Sequence, residues 1–412
     1  MVLLGVLFVA ARLGPDQFGQ FALIQAMVLV FTSFCALSLG QMASKIVAES
    51  RLAGPGRTGS SISIAYACVI PLSLLLAAAL VCSAEYLAAR SVGSPQLASA
   101  YRLSALLVMA GFLSALQGGV ILGLDLAREQ ALVNLKIAPV SLAILLLCAL
   151  QDDLVWALAG LILAQGSIVL AQEYVIYRYR KTNGIELGFT RIPLEQWSVI
   201  WRLGLPSSVA GFFTVPSVWW VMMLLAAAPG GMAQLGQFAL GNQVRGILLF
   251  GAGVIANVSL PAIASALMRG DRDQANQVFT RSLVMVVSLS TLLALSGWLL
   301  LTHTIPGYFP AYSDSLRPMA WLLMSAIVAS AAAIHMRKAT AEMRPGALVL
   351  ANAAFALALI GSAGYLLSVG QGATGLAISF LIASVLQLGL LVVLNHYYCL
   401  NGSRGDIRVE TL

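Results

Sequence analysis

The sequence predicts an all-α polytopic membrane protein of about twelve transmembrane helices in two six-helix repeats. Composition gives the first reason: of 412 residues, 60% are hydrophobic and 9% charged, and mean hydropathy is +0.91. Charge-poor stretches give the second. Ile62 to Ala84 and Leu103 to Leu124 contain no charged residue, and a bilayer core of about 30 Å takes roughly 20 apolar residues per helix. These stretches are longer and less alternating than membrane strands, and open sheet edges cannot face hydrocarbon, so helices are expected. The third reason is a repeat. The letters GQFAL occur at 19–23 and again at 236–240, and an offset of 217 keeps nine of the fourteen positions from Ala10 to Leu23 identical. Leu158, Ala159, Leu163 and Tyr179 then fall opposite Leu376, Ala377, Leu381 and Tyr397 at an offset of 218. Solenoid units run to about 20 to 50 residues, so this longer period marks a duplicated half.

The first span centres near residue 5. Helix seven begins near Trp197, so a complete first repeat would begin about twenty residues before Met1 by the repeat register, and the first helix reads as cut short. A signal peptide fits less well, because no positive region precedes the apolar run and Ala10 and Ala11 match helix seven. Spans two to six centre near residues 32, 73, 112, 143 and 164; spans seven to twelve centre near 213, 250, 290, 325, 356 and 385. Short charged or Gly/Pro-bearing breaks separate them. The expected organisation is an N-terminal six-helix lobe over 1–180, a linker over 181–196, a C-terminal six-helix lobe over 197–400 and a tail over 401–412.

Basic residues set the expected orientation. With alternate loops on opposite sides, seventeen of the 23 Lys and Arg residues fall on one side, among them Lys45, Arg51, Arg178, Arg191, Arg202, Arg272, Arg344 and Arg404, and only Arg12, Arg90, Arg102 and Arg317 on the other. The richer side is cytoplasmic by the positive-inside rule, which with twelve spans puts both termini on the cytoplasmic side. The net charge of +7 is therefore read as loop orientation, not nucleic-acid binding. Five cysteines, Cys35, Cys68, Cys82, Cys148 and Cys399, lie in or beside apolar spans without a close pair, which signals neither a zinc cluster nor a disulfide framework. His303, His335 and His396 lie at or near span ends, show no metal spacing and read as interfacial. No GxxxxGK[ST] phosphate loop is present, and no cofactor is expected.

At "ARLGPDQFGQFAL", followed by an apolar helix and "LGQMASKIVAESR", the chain resembles the polysaccharide flippases of the MOP superfamily, the Wzx-type O-antigen and exopolysaccharide transporters. The segment Leu116 to Leu135 is similar to the junction of helices four and five in that family. The resemblance implies a MATE-like pair of six-helix lobes in a bacterial inner membrane, around a cavity open alternately to each side, moving an undecaprenyl-diphosphate-linked oligosaccharide from the inner to the outer leaflet. It implies no enzymatic step, with a polyprenyl-diphosphate-linked glycan and membrane lipids as partners, and the polymerase and chain-length proteins of the same pathway as further ones. The lipid II flippase branch fits less well, because helices thirteen and fourteen are missing.

Arg245, in "GNQVRGILLFG", is the one cation deep in a span, about ten residues or ~15 Å from the outer turn. A centred Arg costs about 2.5 to 3.5 kcal/mol on insertion scales, so it faces a cavity or a partner. Its repeat counterpart is Val28, so duplication does not account for it. One reading is a planar fork that grips a diphosphate or an acidic sugar; the other is a structural Arg satisfied by helix-end carbonyls or Gln25. Asn242, Gln243, Gln25, Gln41 and Asn257 sit in helices two and eight, where amides suit sugar hydroxyls and equally suit helix pairing. Lys136, one turn before Pro139, either faces the cavity or snorkels to the interface. Asp125, Glu129 and Glu173 lie at span ends, where solvated ion pairs are expected, and no carboxylate is expected in the middle of a span.

That expectation weighs against the alternative of a MATE-like drug or metabolite cation antiporter, which protonates a buried carboxylate. A polymerase or ligase would need a large polar outer loop, and a major-facilitator transporter a GxxxDRxGRR-like loop. The coupling ion, H+ or Na+, is left open by the sequence.

Overall fold

The computed structural model describes residues 2–33, 36–51, 54–92, 97–188 and 205–402. Among these the regular elements are twelve α-helices and one short 3-10 helix. They are α1 (Val2–Ser33), α2 (Ala36–Arg51), α3 (Pro55–Val92), α4 (Ala98–Gly123), α5 (Ala127–Ala149) and α6 (Leu154–Thr182). Then follow α7 (Leu205–Ala226), α8 (Gly231–Met268), α9 (Arg272–Tyr308), a 3-10 turn (Pro310–Ser315), α10 (Leu316–Ala341), α11 (Pro345–Ser368) and α12 (Gly372–Gly402). The all-α prediction holds. The predicted linker from 189 to 196, Arg191, Arg202, the tail from 403 and the side chain of Gln41 lie outside the described residues.

Helices and predicted spans do not correspond one to one. Nine helical segments among the described residues are long and apolar enough to cross a membrane, and they match spans three to six and eight to twelve. Span one and the start of span two share α1, which breaks at Gly14 (φ 69°, ψ 173°). Only glycine adopts a positive φ readily, and Pro15 next to it brings no N–H to the helix ladder. Span five was expected about five residues too far along, because the polar letters AREQ that open α5 are already helical. Hydropathy marks the part of a helix that lies in lipid, whereas α3 and α8 run for 38 residues and α9 for 37. That is about 55 Å at 1.5 Å per residue, well beyond a bilayer core.

Large apolar side chains face outward: Leu170 is 73% exposed, Leu357 74% and Phe250 75%. A water-soluble protein rarely shows contiguous surface of this kind; lipid solvates it at no cost. Packing divides the chain into two units, Met1–Gly236 and Gln237–Leu412. In the first, α4 packs against α2, α3 and α6, and α5 lies along α6. In the second, α12 packs against α10 and α11, and α9 against α10. A tilted aromatic contact joins α8 to α12 there, with the rings of Phe238 and Phe380 5.5 Å apart.

Small residues allow the closest approaches, as expected where helices associate without a hydrophobic driving force. A Cβ on Gly40 would lie 2.8 Å from the Ala115 carbonyl oxygen, and one on Gly123 2.6 Å from that of Ser44. The "GVILG" stripe of Gly119 and Gly123 is thus the α2 face of α4. The duplicated motif makes a second crossing. A Cβ on Gly19 would run into the Met232 carbonyl, and one on Gly236 into the Pro15 carbonyl. Residues 15 and 19 are the repeat partners of 232 and 236, so the two copies of the motif meet each other reciprocally.

The five ion pairs among the described residues are Arg12–Asp152, Lys45–Glu49, Arg51–Asp125, Arg102–Glu85 and Arg344–Glu342. Each joins residues that the alternating loop assignment puts on one side. Arg12 and Asp152 approach to 2.8 Å and tie the α5–α6 turn to α1. Arg51 reaches Asp125 at 3.4 Å and also donates to the Leu124 carbonyl at 2.9 Å.

Candidate functional site

Arg245 lies on α8 in the second unit. Its Nε donates to Ser325 Oγ of α10 at 2.9 Å, and its guanidinium sits over the Phe380 ring of α12, 5.0 Å from the centroid. Ser325 turns its own proton to the Leu322 carbonyl at 2.7 Å, which leaves an oxygen lone pair for Arg245. One serine therefore orients the guanidinium, and an aromatic face supports it through cation–π attraction. None of the five ion pairs includes Arg245. Among the described residues the hydrogen-bond partner is thus a serine hydroxyl, not a helix-end carbonyl or a carboxylate. A positive charge in a span held by neutral groups is electrostatically unbalanced, and its terminal nitrogens can serve a bidentate anion.

Asn242 precedes Arg245 by one turn, on the same face of α8 by i,i+3 spacing; both are half-buried, as is Gln243. Asn257 is exposed and lies twelve residues along, about 18 Å at helical rise, so it belongs to a different level. Gln25, half-buried on α1, and Lys136, exposed on α5, are in the first unit. Lys136 lines a groove of about 690 Å³ between α5 and α6.

Elsewhere the second unit holds further interhelical polar contacts. Gln387 Nε2 of α12 donates to Asn352 Oδ1 of α11 at 2.9 Å. Asn395 Nδ2 meets His335 Nδ1 at 3.1 Å, and Ser290 of α9 donates to Ser330 of α10 at 3.0 Å. Edge-on packing of His335 against Phe279, 5.0 Å between centroids, completes the histidine's surroundings. His335 is buried, which corrects the interfacial reading of this residue.

A second correction concerns Glu173. Instead of a solvated ion pair, its carboxylate accepts hydrogen bonds from the Tyr66 hydroxyl of α3 and from Gln117 Nε2 of α4, the latter at 2.9 Å. The neighbouring Gln172 accepts from Ser114 at 3.2 Å. Gln117 is 2% exposed and Gln172 5%, so three helices converge on a half-buried carboxylate. Sequence reasoning missed it because Tyr66, Gln117 and Glu173 are single polar letters in three separate spans, with no local spacing to relate them.

Metal-binding constellations are absent among the described residues: no three His, Cys, Asp or Glu side chains cluster there.

Comparison with known proteins agrees with this architecture. The family model for "Polysaccharide biosynthesis protein" matches residues 1–267. The chain is 23% identical over 377 residues to the EPS I polysaccharide export inner membrane protein EpsE of Ralstonia solanacearum, covering 90% of this chain and 85% of that one. Among solved structures it is similar to the inward-facing conformation of a multidrug resistance MATE family transporter of the MOP superfamily, at TM-score 0.83 and 13% identity, over 98% of this chain and 95% of the other. It is also similar to the outward-facing conformation of such a transporter, at TM-score 0.67 and 14% identity, over 98% and 94%. At these identities the structural likeness carries the fold alone: a MATE-like helical membrane protein.

Proposed function

We propose that this chain, which belongs to the polysaccharide biosynthesis protein family, moves a polyprenyl-diphosphate-linked oligosaccharide across the inner membrane by alternating access of two six-helix lobes. Translocation across a membrane in polysaccharide synthesis follows from the family and the transporter fold; the lipid-linked substrate is our reading. The observation that carries it is Arg245, a guanidinium in a span held by Ser325 and Phe380 with no counter-ion among the described residues. Sugar–diphosphate carriers present charge and bidentate acceptor geometry that a planar fork matches. Asn242, on the same face of α8, supplies donor and acceptor for sugar hydroxyls. Both termini are assigned to the cytoplasm, and polymerase and chain-length proteins are the expected downstream partners.

The test is mass spectrometry of lipid extracts from cells lacking the protein. Accumulation of a polyprenyl-diphosphate oligosaccharide, relieved by the wild type and not by Arg245→Ala, is expected. Relief by both would remove Arg245 from head-group binding, and no accumulation in cells that make the glycan would sink the flippase reading.

A cation-coupled reading, including a MATE-like antiporter, is favoured by one observation: Glu173 is a carboxylate within α6 held by Tyr66 and Gln117. Such a group can take up H+ or Na+ during a transport cycle. If it does, Glu173→Gln leaves the protein folded and substrate-binding but removes the dependence of transport on the ion gradient in reconstituted vesicles. Unchanged gradient dependence would confine Glu173 to packing.

A further inference from the structure

The groove between α5 and α6 has a composition that substrate translocation does not explain. Its walls are one stripe from each helix: Glu129, Leu132, Val133, Lys136 and Ile137 on α5, and Ala171, Tyr174, Val175, Arg178, Tyr179 and Thr182 on α6. Both sets follow i, i+3, i+4, i+7 spacing, so each is one continuous face of a helix. At about 690 Å³ the groove is within the range of small-molecule sites, about 300 to 1,000 Å³.

Two cations and one carboxylate, Glu129, stand in a mainly apolar wall, and neither Lys136 nor Arg178 belongs to any of the five ion pairs among the described residues. Lys136 is nine positions past Ala127, where α5 begins, about 14 Å along the axis. Arg178 is four positions before Thr182, where α6 ends, about 6 Å from that end. The helices are antiparallel, and side chains tilt toward the N-terminus of their own helix. Lys136 therefore leans back toward the shared helix ends and Arg178 leans deeper, so the two charges converge. Apart from the two cations, Glu129 and the polar Thr182 and Asn183 at the helix end, the lining is apolar or aromatic: Leu132 is 46% exposed and Tyr174 63%, surface that fits hydrocarbon chains.

We propose that this groove is a binding site for an anionic phospholipid of the cytoplasmic leaflet, its phosphodiester held by Lys136 and Arg178 and its chains lying along Leu132, Val133, Tyr174 and Val175. Charge selects the occupant. Two cations and Glu129 leave one positive charge, which a monoanionic phosphodiester neutralises; a zwitterionic lipid leaves it uncompensated, and a diphosphate overshoots it. Basic pockets between membrane helices on the cytoplasmic side are a known setting for anionic head groups. Glu129, nearest the helix end, then accepts from a glycerol hydroxyl of the head group. The leaflet assignment rests on the orientation proposed above, whereas lipid selectivity does not.

Native mass spectrometry of the full-length protein, titrated in detergent with phosphatidylglycerol or phosphatidylcholine, tests this without any transport measurement. The wild type is expected to retain phosphatidylglycerol preferentially. Lys136→Ala and Arg178→Ala should each weaken retention about fivefold, and the pair on the order of 25-fold. The charge-preserving pair Lys136→Arg and Arg178→Lys is expected to keep the preference, which separates lost charge from lost fold. Equal retention of the two lipids, or an unchanged preference in the double alanine variant, would overturn the proposal. Displacement of phosphatidylglycerol by undecaprenyl diphosphate in the wild type but not the double variant would overturn it in favour of a substrate site. Because Arg245 is untouched in these variants, failure here leaves the flippase reading standing, and failure of the accumulation experiment leaves the lipid site standing.

Discussion

At the scale of single residues, the second unit separates what isolation in a sequence can reveal from what it cannot. Arg245 was legible because a cation in a charge-free run has no cheap explanation. Ser325 and Phe380, which hold it, were not, because Ser and Phe are ordinary letters in a membrane helix and only the fold brings α10 and α12 to α8. Ser325 makes two bonds, one to its own helix and one across to Arg245. Ser325→Ala therefore removes a single interhelical hydrogen bond, worth about 0.6 kcal/mol on average in membrane proteins. We expect thermal unfolding in detergent to change little while complementation of the glycan defect falls, because the guanidinium loses its orientation. Arg245→Lys keeps the charge without the fork and is expected to complement only in part. Full complementation by Arg245→Lys would show that charge alone matters. Glu173 gives the opposite lesson: a carboxylate near basic letters reads as solvated, and its sheltering by Tyr66 and Gln117 depends on three helices that share no local pattern.

At the scale of elements, the repeat was legible as identical letters, and its physical reason lies in the crossing of α1 and α8. Gly19 and Gly236 each leave room for the backbone carbonyl of the other copy, at Met232 and Pro15. Two helix segments that approach by backbone contact tolerate no side chain at that point, so the glycines had to stay when the halves diverged. Gly19→Ala is predicted to destabilise the protein by about 1 to 3 kcal/mol, the usual cost of forcing extra volume into a packed contact. Fluorescence-detected melting in detergent measures it. Gly361→Ala is the control, since nothing lies within 4 Å of the Cβ it would add; there helix propensity makes the change neutral or stabilising. Equal losses at both positions would remove the crossing as the cause. The early end of the first arm at Gly14, by contrast, was visible in "LGPDQFG" because Gly followed by Pro cannot continue a regular helix. Helix lengths were less legible, since hydropathy ends where lipid ends and α3, α8 and α9 continue past it.

At the scale of the whole molecule, orientation is the remaining consequence of the charge pattern. Seventeen cations against four is a large imbalance for loops this short, and short loops are where the positive-inside rule applies. Ion pairing supports the alternation on which the count depends, because the two pairs that link separate turns, Arg12–Asp152 and Arg51–Asp125, each join residues assigned to one face. Pairing is silent on which face is cytoplasmic; the proposed orientation rests on the charge count alone. Single cysteines at Ser313 and Gln371, in turns on the cation-poor side, are predicted to react with a membrane-impermeant maleimide on intact cells. Cysteines at Asp271 and Met343, in turns on the cation-rich side, should react only after permeabilisation. The native cysteines must first be replaced, because Cys82 is exposed. A reversed pattern would invert the molecule and move the α5–α6 lipid groove to the outer leaflet, without changing its charge. A mixed pattern, with Gln371 and Asp271 on one side, would break the alternation of the helices and with it the two-lobe transport cycle.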